Sequence, residues 1–231
     1  MKEPTIQIGS TIENTLLKPD MVQNQVDQLV KESLELGFHG VCVPPFWVKH
    51  AKREIGNAGL RLITVVGYPL GYQLTESKLD EINRVIDHGA DEIDMVWNLS
   101  AYKSGMPWTK IELARCTQLA HSNQRLIKII LETALLTSKE IEEGAILCAD
   151  AGADFVKTST GQIAGGGATL EAVQLLRKIL PANVGIKASG GIKTAELALE
   201  LIKAGADRIG TSSGPAIMSE LKGRKKVKSA S

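Results

Sequence analysis

A single (β/α)8 barrel is the fold class this sequence predicts, and three observations predict it. Eight short apolar runs alternate with helix-like segments from end to end. The 231 residues suit one domain, since α/β barrels reach roughly 200–250 residues. A Gly-Ala-Asp triplet also returns three times, each time where a helix gives way to a strand.

The eight runs are residues 11–17, 40–43, 61–67, 92–97, 126–132, 154–158, 183–189 and 207–211. Between them, Val22, Val26, Leu29 and Val30 share one helical face, as do Leu79, Ile82, Val85 and Ile86. Thr137 with Glu140 forms a capping box that opens another helix. The triplets Gly89-Ala90-Asp91, Gly152-Ala153-Asp154 and Gly205-Ala206-Asp207 are spaced by two βα units each, so they lead into strands four, six and eight. Three residues past each Asp stand Asp94, Lys157 and Gly210. Alternate barrel strands share a layer of inward side chains, so Asp94 and Lys157 are expected at one level, with Gly210 leaving space. A doubly wound open sheet is the rival fold, but it would carry a Gly-x-Gly-x-x-Gly loop after the first strand, and the sequence has none. The barrel domain is expected to cover residues 1–221, and the basic residues 222–231 a solvated, disordered tail.

Composition sets bounds on function. A net charge of +1 gives no argument for nucleic acid or anionic membrane as a partner. Cys42, Cys116 and Cys148 form no CxxC pair and no disulfide framework, which suits a cytoplasmic protein. His39, His50, His88 and His121 show no metal-ligand spacing. No metal and no cofactor is expected.

The chemistry concentrates in inward lysines. In Asp154-Phe155-Val156-Lys157 the lysine shares a strand face with phenylalanine. A buried ammonium is costly unless it is paired or neutral. Lys187 lies one βαβ unit further on, on the neighbouring strand, and two ammonium groups in one barrel repel each other. A lysine beside another cation in a dry pocket becomes a nucleophilic amine suited to Schiff-base formation. Equally, each lysine could pair with Asp94 or Glu132, and Lys128 on strand five is a third inward candidate sharing its face with Glu132. Spacing does not choose among the three. Asp94 is placed to relay protons, and Glu13 on strand one to orient a lysine as an ion-pair partner. Cys42 ends strand two as a small buried thiol or a pocket residue. Gly161, Gly190 and Gly191, with Ser212 and Ser213, lie in loops after the late strands, where barrels bind phosphate, and Lys193 adds charge there.

The stretches EIDMVWNLSAYKSG, IKIILETALLT, DFVKTSTG, VGIKASGGIKTAE, IGTSS and VVGYPLG, in that family's order along the chain apart from the last, closely resemble the deoxyribose-phosphate aldolase family over residues 11–220. The resemblance implies a class I aldolase that needs no metal. It would cleave 2-deoxy-D-ribose 5-phosphate to D-glyceraldehyde 3-phosphate and acetaldehyde. It further implies Lys157 as the Schiff-base lysine, Lys187 as the lysine that perturbs it, Asp94 as the proton relay and Cys42 as a residue near the aldehyde end. Phosphate would sit at Gly190, Gly191, Ser212 and Ser213, and the protein would be a homodimer. Four features depart from the family pattern: Glu13 replaces an aspartate, Gln162 follows KTSTG, Lys193 stands where arginine is usual, and the chain lacks a C-terminal tyrosine. The alternatives are a Schiff-base aldolase for another aldehyde pair and a non-catalytic sugar-phosphate binder.

Overall fold

A computed structural model describes residues 8–229, with side chains through residue 223. Eight parallel strands close into a barrel in chain order: β1 (Ile12–Thr15), β2 (Gly40–Val43), β3 (Arg61–Val66), β4 (Glu92–Val96), β5 (Leu126–Ile130), β6 (Phe155–Lys157), β7 (Gly185–Ser189) and β8 (Arg208–Thr211), with β8 pairing back to β1. Each strand lies within the run expected from sequence. The helices are α1 (Gln23–Leu36), α2 (Val48–Ile55), α3 (Thr75–Asp87), α4 (Leu99–Lys103), α5 (Trp108–Ser122), α6 (Ser138–Asp150), α7 (Leu170–Ile179), α8 (Ala195–Lys203) and α9 (Gly214–Ser229). The backbone of the basic C-terminal stretch continues α9 to Ser229, while residues 1–7 and 230–231 lie outside the described residues. No described helix is long and apolar enough to cross a membrane.

The helices begin and end where their caps dictate. Thr137 accepts from the Glu140 N–H while the Glu140 carboxylate accepts from Thr137 N–H, completing the expected capping box at α6. Val26, Leu29 and Val30 of α1 are buried, whereas Val22, just outside the helix, is exposed.

The Gly-Ala-Asp repeat has a mechanical role. Its glycines end α3, α6 and α8 at φ 102°, 81° and 115°, a backbone that other residues rarely adopt. Each aspartate then clamps the strand before. Asp91 Oδ2 accepts from Leu62 N–H at 2.9 Å, Asp154 Oδ2 from Ile127 N–H at 2.8 Å and Asp207 Oδ2 from Ile186 N–H at 2.8 Å. The aspartate backbone N–H groups donate back to the carbonyls of the same three residues. Strand pairs β3/β4, β5/β6 and β7/β8 are thereby fixed in register at their N-terminal ends. That register sets the heights of Asp94, Lys157 and Gly210.

Burial divides the apolar side chains into two bodies. The large one lies between strands and helices and includes Ile186 and Ala188, which face outward from β7. The small one, inside the barrel, consists of Cys42, Ile63 and Val65 with Leu17 and Tyr68 packed against it. Apart from Phe155 and Ile130, which also face inward, the rest of the barrel interior is mostly polar and charged.

Asp154→Ala leaves the buried-strand N–H of Ile127 without its partner. It is expected to lower stability by about 1–3 kcal/mol, measured as a fall in the denaturant midpoint at unchanged slope.

Candidate active site

The inward faces of the strands carry three lysines and three carboxylates. Lys157 of β6 and Lys187 of β7 are Cα partners in register, and Asp94 of β4 is the partner of Lys128 on β5. Lys157 Nζ donates to Asp94 Oδ2 at 2.8 Å. Lys187 Nζ donates to the same oxygen at 2.6 Å and also bonds Glu13. Lys128 Nζ lies 2.5 Å from Glu92 Oε2, 3.2 Å from Asp94 Oδ1 and 3.5 Å from Glu13 Oε1. Glu92 Oε1 meets His39 Nε2 at 3.1 Å below them. All six charged groups are almost fully buried. Phe155, which shares the Lys157 face, lies one layer lower, 5.9 Å from the Lys128 ammonium and 5.7 Å from the Arg208 guanidinium.

Glycine makes room for this lattice. A Cβ on Gly210 would stand 2.8 Å from Lys187 Cε, so the space expected at this position is occupied by the lysine's own stem.

Charge fixes the protonation of most of the lattice. Burial alone would push Asp94 up, but Lys128, Lys157 and Lys187 outweigh it and hold the carboxyl well below the usual range. Burial likewise opposes the ionised form of Glu92, yet His39 and Lys128 bring it down to about 2. Burial would lower Lys128 and Lys187, but Asp94 and Glu13, joined at Lys128 by Glu92, raise both above the usual lysine value. Those two amines therefore stay protonated across the neutral range. Burial pushes the Cys42 thiol up to about 11, so it remains a thiol beside the lysines.

A cleft of about 260 Å³ opens above the lattice. Of the three lattice lysines, Lys157 alone lines it, together with Gly161, Gly190, Gly191, Lys193 and Ser212. Asp94, Lys187, Glu13 and Cys42 lie beneath and do not line it. Ser213 does not line it either, and its backbone N–H donates to Thr211 Oγ1 at 2.9 Å. Gln162 is in the wall, so this departure from the family pattern faces the cleft.

The structure corrects one expectation and adds residues. Glu132 was expected beside a lysine, but it sits past the end of β5 at φ 59° and its carboxylate accepts from Thr160 instead. The residue that pairs with Lys128 is Glu92, two positions before Asp94 on the same strand face, and that spacing was the signal available for it. Lys18 and Tyr68 also line the cleft. Lys18 lies in the loop after β1, and Tyr68 lies in the VVGYPLG stretch. Burial pushes the Tyr68 hydroxyl up to about 12, against a bond from Gln162, so it serves as a donor. Folding also brings together possible metal-ligand atoms that sequence spacing did not reveal. Glu13, His39 and Glu92 form one such group, within 4.8 Å of one another, and Asp27, His50 and Glu54 form a second. In the first, the Lys128 ammonium stands between the carboxylates.

Linkage gives a test of the lattice. Asp94 and Glu92 have lowered values, so their stabilisation is complete above the ordinary value, 4.5 for Glu92, and is lost as pH falls through the folded one, about 2 for Glu92. Lys128→Met is expected to cost about 3–5 kcal/mol at neutral pH, because it strands buried carboxylates. The stabilities of variant and parent, measured by denaturant titration, should converge as pH falls through that acidic window.

Comparison with known proteins agrees with this geometry. The family model described as DeoC/LacD family aldolase matches residues 13–220. The chain is 46% identical over 218 residues to a deoxyribose-phosphate aldolase of Brevibacillus brevis, covering 94% of this chain and 97% of that one. It is 45% identical to that of Thermococcus kodakarensis, covering 92% and 96%. Among solved structures, one described as QR15, an aldolase, superposes with a TM-score of 0.90 at 39% identity, covering 96% and 99%. The tetrameric deoxyribose phosphate aldolase of Aeropyrum pernix superposes at 0.87 with 34% identity, covering 93% and 91%. A barrel whose charged lumen ends in one lysine at the cleft floor, matched in sequence along nearly its whole length, places this chain in the DeoC/LacD family of aldolases.

Proposed function

We propose that the protein cleaves 2-deoxy-D-ribose 5-phosphate reversibly to D-glyceraldehyde 3-phosphate and acetaldehyde through a Schiff base on Lys157, as the similarity to the named relatives suggests. One observation carries the choice of residue. Lys128 and Lys187 are each gripped by at least two carboxylates, whereas Lys157 contacts one Asp94 oxygen and reaches the cleft.

The steps follow from those positions. The Lys157 amine attacks the C1 aldehyde, and loss of water from the carbinolamine gives a protonated imine. The imine takes up the electron pair of the C2–C3 bond as the C3 hydroxyl gives up its proton, which releases glyceraldehyde 3-phosphate. The enamine left behind is protonated at C2, and water then frees acetaldehyde and the amine. Asp94 is ionised and fully buried behind Lys157, so it handles these protons through a water. Lys187 competes for the Asp94 oxygen that would otherwise pair with Lys157 alone, which keeps the Lys157 amine available. Glu13 anchors Lys187, and Cys42 packs beneath the aldehyde end.

The phosphate end is assigned to Gly161, Gly190, Gly191 and Ser212, with Lys193 and Lys18 supplying charge at the rim. Lys193 offers a point charge where the related pattern has the fork of an arginine. We assign the activity to residues 1–221, read the enzyme as a homodimer, and place it in the cytoplasm, where its three buried free cysteines stay reduced.

Borohydride reduction with acetaldehyde should trap one adduct, which peptide mapping should locate at Lys157. An adduct on Lys128 or Lys187 with Lys157 unmodified would refute the assignment. Turnover of the sugar phosphate should also survive prolonged incubation with a chelator. Loss of activity that zinc restores would exclude a reaction carried by lysine alone.

A further inference from the structure

Beyond β5 and β6 the backbone ladder continues. Leu131 N–H donates to Lys157 O at 3.0 Å and Thr133 N–H to Thr158 O at 2.8 Å. Glu132 stands between these two rungs in the left-handed region, at φ 59°. Its side chain is buried, and one oxygen, Oε2, accepts from Thr160 N–H at 3.0 Å and from Thr160 Oγ1. The other oxygen, Oε1, is buried without a hydrogen-bond partner. A left-handed glutamate with an unsatisfied buried oxygen is costly on two counts, and such costs persist where position matters more than stability.

From the opposite wall, Tyr68 after β3 donates its hydroxyl to Thr160 O at 2.9 Å. Thr160 is thus held at its N–H, its hydroxyl and its carbonyl by two residues from different loops. Thr160, Gly161 and Gln162 form one wall of the cleft directly after the Lys157 strand, and Tyr68 forms another.

We propose that Glu132 and Tyr68 act together as positioning residues. By clamping Thr160 they hold the 158–162 loop as the wall against which the sugar-phosphate chain binds. The role rests on the reaction assigned above. It concerns binding of the long substrate, since a two-carbon aldehyde can reach Lys157 without using that wall.

The test uses Glu132→Ala, Glu132→Gln, Tyr68→Phe and the Glu132→Ala/Tyr68→Phe double variant. Glu132→Ala should raise KM for 2-deoxyribose 5-phosphate about tenfold, the size expected for a lost charge-assisted bond, with a smaller change in kcat. Glu132→Gln keeps an oxygen that can accept both Thr160 donors, so it should stay within about threefold of the parent. Tyr68→Phe should raise KM less than Glu132→Ala. The double variant should depart from the sum of the singles, because both act on Thr160. Borohydride trapping with acetaldehyde should proceed as in the parent in Glu132→Ala and Glu132→Gln, whose side chain does not line the cleft. Amide hydrogen exchange at Thr160 should quicken in Glu132→Ala and Tyr68→Phe. Unchanged KM and unchanged exchange in those two variants would overturn the clamp. So would additivity of the two substitutions, or a Glu132→Gln variant as impaired as Glu132→Ala. Should the parent neither turn over nor trap, the assigned reaction fails while the exchange experiment still decides the clamp. Tyr68→Phe, which removes only a hydroxyl, decides it if Glu132→Ala does not fold.

Discussion

Three ammonium groups and three carboxylates share the lumen of this barrel, and the mutual cancellation of their charge is the constraint on which the rest of the structure depends. A single ion in such a place would cost several kcal/mol to desolvate. Placed together, they satisfy one another across the barrel. Asp94 on β4 binds Lys128, Lys157 and Lys187 from β5, β6 and β7, and Glu13 on β1 ties Lys187 and Lys128 to the opposite wall. Such a lattice works only if every strand keeps its register, since a slip of one residue would turn each charge outward. The three aspartate clamps at the strand entrances secure that register. Apolar burial is consequently displaced to the outer layer, where the large hydrophobic core holds strands and helices together.

The same balance makes one amine different from the others. Lys128 and Lys187 are bound by enough carboxylate to remain cations. Lys157 stands at the upper edge of the lattice, with the cleft above it and a shared oxygen below. If it gives up its proton to act as a nucleophile, the lumen carries one unit of negative charge more. Imine formation on the amine, followed by protonation, restores the positive charge at the same nitrogen. A fixed set of surrounding charges therefore favours the cationic imine that bond cleavage needs, with no rearrangement of the protein during the reaction.

Much of this was legible in the sequence, because it depends on short-range patterns. Strand periodicity and the Gly-Ala-Asp repeat gave eight strands, their order and the common level of Asp94, Lys157 and Gly210. The Lys157–Lys187 adjacency followed from one βαβ unit of separation, since that spacing makes neighbouring strands. What sequence could not supply was reach across the lumen. Asp94 and Glu132 looked like the partners available to an inward lysine, and Glu92 was not singled out. Lys128 meets Glu92 instead of Glu132, whose left-handed backbone leaves its carboxylate on Thr160. Ser213 stands just behind the cleft, its N–H donating to Thr211 Oγ1, while its neighbour Ser212 lines it. Lys18 and Tyr68 come from loops after β1 and β3, where no periodicity governs side-chain direction.

Glu13 shows how a single methylene enters this balance. From β1 its two oxygens are divided, Oε2 towards Lys187 and Oε1 towards Lys128 at 3.5 Å, with Arg208 at 4.0 Å. An aspartate on the same backbone would sit about 1.5 Å further back, one carbon–carbon bond. That would take it out of ionic contact with Lys128 unless the strands moved inward. Gly40 and Gly210, the register partners of Glu13 on β2 and β8, flank it without side chains. The space a Cβ would need is taken at Gly40 by Arg61 and Ile63 and at Gly210 by the Lys187 stem. Lys128 in turn draws on Glu92 from the lower layer, which is itself bonded to His39, so its charge is met from below as well as from β1. Lys128 lies against Asp94 Oδ1, which leaves Asp94 Oδ2 to Lys157 and Lys187.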